Sequence, residues 1–327
     1  MNKIIACFLF CLFILSACNS PADSPYTEIT FIKKSALPDG GRCSGVAFVA
    51  HNKAYYTLGR NNDKQAKKNT FEYDPKEDKW IEKAEFPGIA RVNAFAAVVN
   101  NIAYVGLGFD PLKGVYVADT NLKDFWSYNP VDNQWTRKAD FPHVTTNKCI
   151  SFVLGNEIYV GFGFNGFGFD NDMWKYDTQT DKWLKLKKST ALNRACAVAC
   201  KNDNSIYFGT GYRTYNMNDW WEYFPKTDSW EKRKSMPDNG RINAVSFSLN
   251  NRIFVATGHH FGGDMTTGRY KSDVLEYDTT KDVWYFRGNI PNGERENAVS
   301  FVLNGKAYIG FGENEKEVLN DLWSFEL

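Results

Sequence analysis

The sequence has few of the residues that usually mark a metal or catalytic centre. It contains four histidines and seven cysteines in 327 residues, and no two cysteines stand in a Cys-x-x-Cys pair. No Gly-x-Ser-x-Gly, Walker or His-Glu-x-x-His motif follows the N-terminal segment. We therefore expect no bound metal and no other cofactor. If the protein is an enzyme, these motifs do not identify its catalytic residues.

An excess of charge of one sign is also absent. Lys+Arg number 39 and Asp+Glu 38, for a net charge of +1, which argues against nucleic acid as a partner. Hydrophobic residues make up 43% of the chain, aromatic residues 16% and charged residues 24%. That composition supports a buried core and excludes wholesale disorder and collagen-like fibres.

A long apolar run occurs only at the N-terminus. Residues 4–15 follow the positive charge of Lys3 and form a run too short for an ordinary membrane-spanning helix. The run ends in Leu-Ser-Ala-Cys, which resembles the bacterial lipobox, so we expect residues 1–17 to be a lipoprotein signal peptide. Residues 18–25 would then be a tether that holds the protein to a membrane through lipid on Cys18. An uncleaved anchor and an ordinary secretory signal are the alternatives, and both still export the chain.

The residue after the proposed lipidation site bears on the destination. Asn19 stands where an aspartate would favour retention in the inner membrane. We therefore expect a cell-envelope protein at the outer membrane, facing the periplasm or the cell surface. The four cysteines beyond the tether lie in apolar segments and are predicted to be buried free thiols: Cys43, Cys149, Cys196 and Cys200.

The rest of the chain is a repeat of about 50 residues. Its clearest mark is a Tyr followed seven positions later by a Trp, with turn-forming residues between them. The copies read YDPKEDKW (73–80), YNPVDNQW (128–135), YDTQTDKW (176–183), YFPKTDSW (223–230) and YDTTKDVW (277–284). Each copy predicts a β-hairpin, and an alternating strand that ends in Gly-x-Gly or its remnant predicts a further pair of strands.

This unit of four short strands, with glycines after the second and a tryptophan in the fourth, resembles the kelch repeat of β-propellers. The resemblance covers residues 26–327 and implies an all-β, six-bladed propeller with four antiparallel strands per blade. The last repeat lacks its fourth strand, and Phe31 stands where a tryptophan would be expected. We therefore expect an N-terminal strand to complete the last blade and close the ring of a monomer.

Basic or amide residues recur where each innermost strand begins. They are Arg42, Arg91, Arg194, Arg241 and Arg295, with Asn147 and Lys148 in the remaining blade. Three copies add an asparagine two positions later, at Asn93, Asn243 and Asn297. Two interpretations stay open: a cationic ring at the channel mouth that binds an anion, or arginines that bond to carbonyls or carboxylates of the neighbouring blade as a structural part of each repeat.

The loops after the second strands differ in length and are rich in aromatic residues. Candidate ligand platforms are Phe164, Phe167, Phe169, Tyr212, Tyr215, Phe261 and Tyr270, and each of these could instead pack within its own loop. His259 and His260 are candidate ligand contacts, although adjacent side chains of an extended segment point in opposite directions and make a poor metal pair. Carboxylates suited to acid/base work are scattered: Asp110, Asp119, Asp170, Asp264, Glu294 and Glu313.

Two classes of function follow from the resemblance. The first is a binding module that holds a protein, peptide or glycan on its loop face and channel mouth. The second is a carbohydrate mutarotase, because exported six-bladed kelch proteins include the N-acetylneuraminate epimerases, which act on an anionic sugar. A mutarotase needs only one proton donor and one acceptor, so its sequence signature would be faint.

Overall fold

Each predicted hairpin forms two neighbouring strands of a four-stranded antiparallel sheet, and six such sheets form the fold. The computed structural model describes residues 21–22, 24–113, 120–143, 146–187, 189–203, 205–262 and 268–327. The proposed signal peptide and Cys18 lie outside these residues. Within them, no helix is long and apolar enough to cross a membrane.

The first three blades follow directly along the chain. Blade 1 contains β2 (Val46–Ala50), β3 (Lys53–Thr57), β4 (Thr70–Asp74) and β5 (Lys79–Lys83). Blade 2 contains β6 (Phe95–Val99), β7 (Ile102–Gly106), β8 (Phe125–Asn129) and β9 (Gln134–Lys138), with a short 3-10 helix at Pro111–Lys113. Blade 3 contains β10 (Ile150–Leu154), β11 (Glu157–Gly161), β12 (Met173–Asp177) and β13 (Lys182–Lys185).

The other three blades complete the ring. Blade 4 contains β14 (Val198–Lys201), β15 (Ile206–Gly209), β16 (Trp220–Phe224) and β17 (Ser229–Arg233). Blade 5 contains β18 (Val245–Leu249), β19 (Arg252–Ala256), β22 (Asp273–Asp278) and β23 (Val283–Asn289), with a small ribbon of β20 (His259–His260) and β21 (Arg269–Tyr270). Blade 6 contains β24 (Val299–Leu303), β25 (Lys306–Gly310), β26 (Leu322–Phe325) and the N-terminal β1 (Ile32–Lys34).

The predicted closure by the N-terminus is confirmed. β1 pairs antiparallel with β26, and Ile32 stands opposite Ser324. Phe31 packs edge-on against Phe325 with ring centroids 5.4 Å apart. Closure in this manner joins the two ends of the chain inside one sheet, so that no blade edge is left open between them.

The recurring tyrosine and tryptophan tie neighbouring blades together. In blade 5, the Tyr277 hydroxyl donates to Asp282 at 2.6 Å, and the same carboxylate oxygen accepts the backbone N–H of Lys234 in blade 4 at 2.7 Å. The Trp284 indole donates to the Lys234 carbonyl at 2.8 Å. Burial first, and then the bond to the carboxylate, raises the pKa of Tyr277. The Tyr/Trp signature therefore stabilises contacts between blades.

Six hydrophobic clusters, one at each junction between neighbouring blades, make up the core. The alternation of buried and half-buried residues along the innermost strands, as in Val46–Ala50, places one face of each sheet against the next. The innermost strand of each sheet therefore lines the channel, and the first residues of these six strands lie on one face of the ring.

Glycine is required where the second strand ends at that face. Gly59 has a φ of +82°, and a Cβ there would lie 2.5 Å from the carbonyl oxygen of Cys43. Its N–H donates to the carbonyl of Arg91 in the next blade at 3.0 Å. The glycine thus lets the end of the second strand pack directly on the backbone that enters the innermost strand of the same blade, while its N–H reaches the next blade.

Candidate ligand site at the channel mouth

The narrowest part of the mouth is a closed circle of backbone hydrogen bonds. One residue from each blade contributes, and each donates its N–H to the carbonyl of the equivalent residue in the preceding blade at 2.9–3.3 Å. All six have a positive φ between 52° and 60°. They are Ser44, Asn93, Lys148, Cys196, Asn243 and Asn297, and we call them the inner ring. Its three asparagines and its lysine are candidate ligand contacts from the sequence, but the backbone conformation that all six residues share was not predicted.

A second set of six equivalent residues forms the wall of the mouth, each directly after a Gly-x-Gly or its remnant. Each exchanges two backbone hydrogen bonds with the start of the innermost strand of its own blade, at 2.8–3.1 Å. They are Arg60, Phe109, Phe164, Tyr212, His259 and Glu313, and we call them the wall ring. The backbone is the same in all six blades while the side chains differ, so the chemical character of the mouth is set by side-chain identity alone.

The wall ring is aromatic on one side of the mouth and charged on the other. Aromatic contacts run from Phe164 through Phe169, Tyr212 and Phe261 to His259, with ring centroids 5.6–6.5 Å apart. His259 also stacks on Tyr270 at 4.4 Å. Phe167 and Tyr215 are exposed to 84% and 56% and do not line the pocket. Of the predicted platforms, the structure thus brings five into one continuous arc: Phe164, Phe169, Tyr212, Phe261 and Tyr270.

The opposite side carries ion pairs that reach the inner ring. Arg60 pairs with Glu313 at 2.5 Å, and the amide of Asn297 donates to the other carboxylate oxygen at 2.9 Å. The amide of Asn243 donates to Glu296 at 2.7 Å, and His259 Nδ1 lies 3.7 Å from the same carboxylate. Two carboxylates with polar partners therefore stand at the mouth, and one of them, Glu296, borders the aromatic arc at His259.

A single cation stands in the inner ring. Lys148 Nζ donates to the side-chain oxygen of Asn243, two blades away, at 3.2 Å. Burial acts to lower the pKa of Lys148, but its contact with Cys196 and the charges of Glu296 and Glu313 outweigh this and raise the pKa. The ammonium group is therefore charged at neutral pH at the bottom of the mouth.

Between the arc and the charged side lies a pocket of about 520 Å³. Its lining includes Arg60, Asn93, Lys148, Tyr212 and Glu313. The volume falls within the range of about 300–1,000 Å³ that is typical of small-ligand sites.

The five repeated arginines do not line this pocket, which corrects the expectation of a cationic ring. Arg42, Arg91, Arg194, Arg241 and Arg295 are all 0% exposed. Each guanidinium donates to the carbonyl 16 residues later, at 2.9–3.4 Å, and pairs with an aspartate. The pairs are Arg42 with Asp39, Arg91 with Asp124, Arg194 with Asp219, Arg241 with Asp238 and Asp273, and Arg295 with Asp321. Their position matches the structural interpretation but, contrary to the expectation, the carbonyl that each arginine bonds lies in its own blade and not in the neighbouring one.

Blade 3 departs from this pattern. Thr146 occupies the position of the arginine, and its hydroxyl donates to the carbonyl of Phe162 at 3.1 Å. Asn147, which we aligned with the arginines, lies one residue further along and donates to Asn121 at 2.7 Å. Asn147 lies twelve residues after Trp135, one more than the spacing in the other copies, and this difference indicates that Thr146 is the equivalent of the arginines.

The remaining candidates are dispersed. His260 Nδ1 faces the carbonyl of Gly240 at 3.0 Å, away from His259, so the two histidines do not converge. Asp119 and Asp264 lie outside the described residues, and Glu313 is the one predicted carboxylate in the pocket lining. The four cysteines are free thiols, as predicted, but only Cys43 and Cys200 are buried, whereas Cys149 and Cys196 are half-buried. Burial raises the pKa of Cys149 and of Cys200 to about 12.

The six sheets and their closure define a six-bladed β-propeller. Comparison with curated proteins finds relatives at low identity, among them kelch-like proteins. The chain is 29% identical over 140 residues to spermatocyte protein spe-26 of Caenorhabditis elegans, covering 43% of this chain and 23% of that protein. It is 24% identical over 211 residues to kelch-like protein 25 of Rattus norvegicus, covering 48% and 36%.

A sugar enzyme is also among the relatives. The chain is 29% identical over 120 residues to N-acetylneuraminate epimerase of Escherichia coli O1:K1 / APEC, covering 35% of this chain and 30% of the enzyme. These matches span between 23% and 36% of the length of the relatives. The solved structure of YjhT superposes with a TM-score of 0.77 over 90% of this chain and 97% of that one, at 18% identity, which shows the fold. No protein-family model matches the chain.

Proposed function

We propose that this propeller binds the acidic end of a glycan, a sugar unit that carries a carboxylate, in the pocket at its channel mouth. The observation that carries the proposal is the division of the wall ring into an aromatic side and a charged side around a pocket of about 520 Å³. A sugar ring presents apolar C–H faces and polar hydroxyl edges, so it is complementary to a pocket divided in this manner.

The aromatic side supplies the stacking surface. Phe164, Phe169 and Tyr212 line the pocket on adjacent blades and hold one another in edge and tilted contacts. Since these rings are positioned by packing before any ligand arrives, little conformational entropy is lost when a sugar stacks on them. The hydroxyl of Tyr212 adds a hydrogen-bonding group.

The inner ring supplies the charge and the polar contacts. Lys148 presents an ammonium group at the bottom of the pocket, and Asn93 and Asn297 line it with amides. A carboxylate on the ligand would compete with the Asn243 oxygen for Lys148, and a charge-assisted hydrogen bond is roughly twice as strong as a neutral one. Lys148 is therefore the residue expected to select acidic over neutral sugars.

The test is calorimetric titration of the protein with N-acetylneuraminic acid and with a neutral hexose, supported by a glycan array. Tyr212→Ala and Lys148→Met should each weaken binding of the acidic sugar at least tenfold. The matched controls are Tyr215→Ala, on the same loop but 56% exposed, and Lys201→Met, an exposed lysine of β14. Equal affinity of all four variants, or capture of a protein or peptide and no glycan, would contradict the proposal.

A second candidate is mutarotation of the bound sugar, favoured by the carboxylate of Glu313 in the pocket lining. Glu313 would serve as the proton acceptor, and Lys148 and Tyr212 line the same pocket as candidate proton donors. Exchange of the anomers of N-acetylneuraminic acid, followed by NMR, tests this candidate. Binding without faster exchange would leave a binding module, while loss of acceleration in Glu313→Gln with binding retained would support an enzyme.

Export and lipidation at Cys18 are part of the same proposal, because an envelope location would bring the mouth into contact with surface or periplasmic glycans. The expected result is lipid labelling of the protein in cells and its recovery in membranes. Cys18→Ser should lose both, whereas Cys43→Ser, which changes a buried thiol, should lose neither.

A further inference from the structure

Blade 3 keeps the aspartate of the repeated ion pair while it lacks the arginine. Asp172 stands just before β12, where Asp124, Asp219 and Asp321 stand in blades 2, 4 and 6. In those blades the carboxylate binds an arginine and also accepts the indole N–H of the tryptophan two residues later at 2.7 Å. In blade 3 the indole N–H of Trp174 has no hydrogen-bond partner among the described residues. Asp172 is therefore directed away from its usual partners.

The Asp172 carboxylate lies near a lysine, Lys185, and near a histidine that also contacts a second aspartate. His143 Nε2 lies 3.4 Å from Asp172 Oδ2 and 3.4 Å from Asp170 Oδ2. One ligand atom from each of the three residues lies within 4.8 Å of the others. Donor atoms at 2.0–2.2 Å from a common ion stand about 3–4 Å apart, so the three are spaced for one cation.

Two of the three ligands, His143 and Asp170, are held by further contacts. The His143 ring stacks on Trp174 with centroids 5.5 Å apart, which directs Nε2 toward the two carboxylates. The other oxygen of Asp170 accepts the backbone N–H groups of Asn171 and Asp172 at 2.7 and 2.9 Å, which leaves Oδ2 facing His143. Supporting contacts of this kind hold metal ligands in position in known sites.

We propose that His143, Asp170 and Asp172 bind a divalent transition-metal cation, of the Zn²⁺ or Mn²⁺ type, in the blade where Thr146 takes the position of the arginine. One imidazole nitrogen and two carboxylate oxygens form a donor set suited to these ions, and water can complete the coordination. The role is structural: the cation links the segment before β10 to the start of β12.

Lys185 competes for the same carboxylate. Its Nζ lies 2.6 Å from Asp172 Oδ2, and its side chain is 45% exposed and free to swing into solvent when a metal binds. Lys185→Met should therefore raise the metal affinity several-fold, a result that no site elsewhere on the protein would produce.

The experiment is titration of the chelator-treated full chain with Zn²⁺, and with Mn²⁺ and Mg²⁺ for comparison, followed by calorimetry and by thermal unfolding. We expect one Zn²⁺ per chain and a rise in Tm of about 2 °C or more at saturation. His143→Gln should abolish both while leaving the Tm in chelator unchanged, and His51→Gln, at an exposed turn, serves as the matched control.

A second variant restores the pattern of the other blades. Thr146→Arg should raise the Tm in chelator and remove the response to Zn²⁺, because the new guanidinium would take Asp172. Absence of Zn²⁺ binding to the unmodified chain, or Zn²⁺ binding that survives His143→Gln, would overturn the proposal. If Thr146→Arg fails to fold, the pair His143→Gln and Lys185→Met still decides the question, because the two must shift Zn²⁺ affinity in opposite directions.

Discussion

Replacing Arg91 separates the structural role of the repeated arginines from a role in ligand binding. The guanidinium makes two bonds of 2.7 Å to Asp124 and donates to the carbonyls of Leu107 and Ile89 at 3.1 and 2.9 Å. It also lies 4.9 Å from the ring centroid of Phe86. Arg91→Met keeps an apolar stem beside Phe86 and removes every polar contact, which leaves a largely buried carboxylate without its counter-charge.

The unpaired carboxylate of Asp124 sets the expected loss in the free energy of unfolding. Breaking a buried ion pair by removing one partner costs roughly 3–5 kcal/mol, mostly because the remaining charge stays desolvated. Unfolding in urea, followed by tryptophan fluorescence, measures it. The double variant Arg91→Met/Asp124→Asn should recover part of the loss, because a neutral amide is cheaper to bury and its oxygen still accepts from Trp126.

The pH dependence gives an independent check. Burial acts to raise the pKa of Asp124, but the hydrogen bonds and charge of Arg91 outweigh it and lower the pKa below its ordinary value. A carboxyl with a lowered pKa contributes stability above its unfolded pKa of about 3.9, and loses it as the pH falls through the folded value. In Arg91→Met the burial that raises the pKa of Asp124 is no longer opposed, so the stability gap between the native chain and the variant should be largest near neutrality and begin to shrink above about pH 4, as the unpaired carboxyl of the variant takes up a proton.

Ligand affinity decides between the two roles. Because Arg91 is 0% exposed and lines no part of the mouth pocket, folded Arg91→Met should bind an acidic sugar as tightly as the native chain. A loss of stability below about 1 kcal/mol together with a tenfold loss of affinity would refute this reasoning, since a surface ion pair is worth no more than that.

Three further outcomes are expected. Deleting residues 21–36 removes β1 and should lower the Tm of the whole ring in one cooperative transition; a separate low-temperature transition with an unchanged main one would show that closure is local. Asp282→Ala breaks the bonds to Tyr277 and to Lys234 and should cost about 1–3 kcal/mol in urea unfolding, while the exposed Asp203→Ala should cost almost nothing. Cys200, which is buried and has a pKa raised to about 12, should resist iodoacetamide at about pH 8 in the folded protein and react after unfolding; rapid alkylation without unfolding would contradict its burial.

The sequence predicts the architecture well because the repeat carries the information in local patterns. The Tyr-to-Trp spacing specifies a hairpin, the Gly-x-Gly specifies the turn that contacts the next blade, and both recur often enough to count the blades. Counting the strands leaves the fourth strand of the last blade unassigned. Phe31 stands at the corresponding position, and β1 forms directly after it. Each of these inferences depends on residues close together in the chain.

The site was harder to predict because its contacts connect distant residues. Arg60 and Glu313 are 253 positions apart, and Lys148 reaches Asn243 across 95. No local pattern shows which side chains meet at the channel axis. The arginines were the most conspicuous repeated charge, yet their aspartate partners lie up to 33 residues away and were not recognised as partners.

The repeat itself indicates where the individual character of this propeller lies. A position whose residue is the same in most blades serves the common fold, as the buried arginines and the Gly-x-Gly do. At a position whose backbone is the same in six blades while its side chain differs, the fold does not dictate which side chain is present. The wall ring meets this condition, since one hydrogen-bonding pattern carries Arg60, Phe109, Phe164, Tyr212, His259 and Glu313. By the same argument, Thr146 marks the blade in which the buried arginine of the other blades is replaced. His143, Asp170 and Asp172 converge in that same blade.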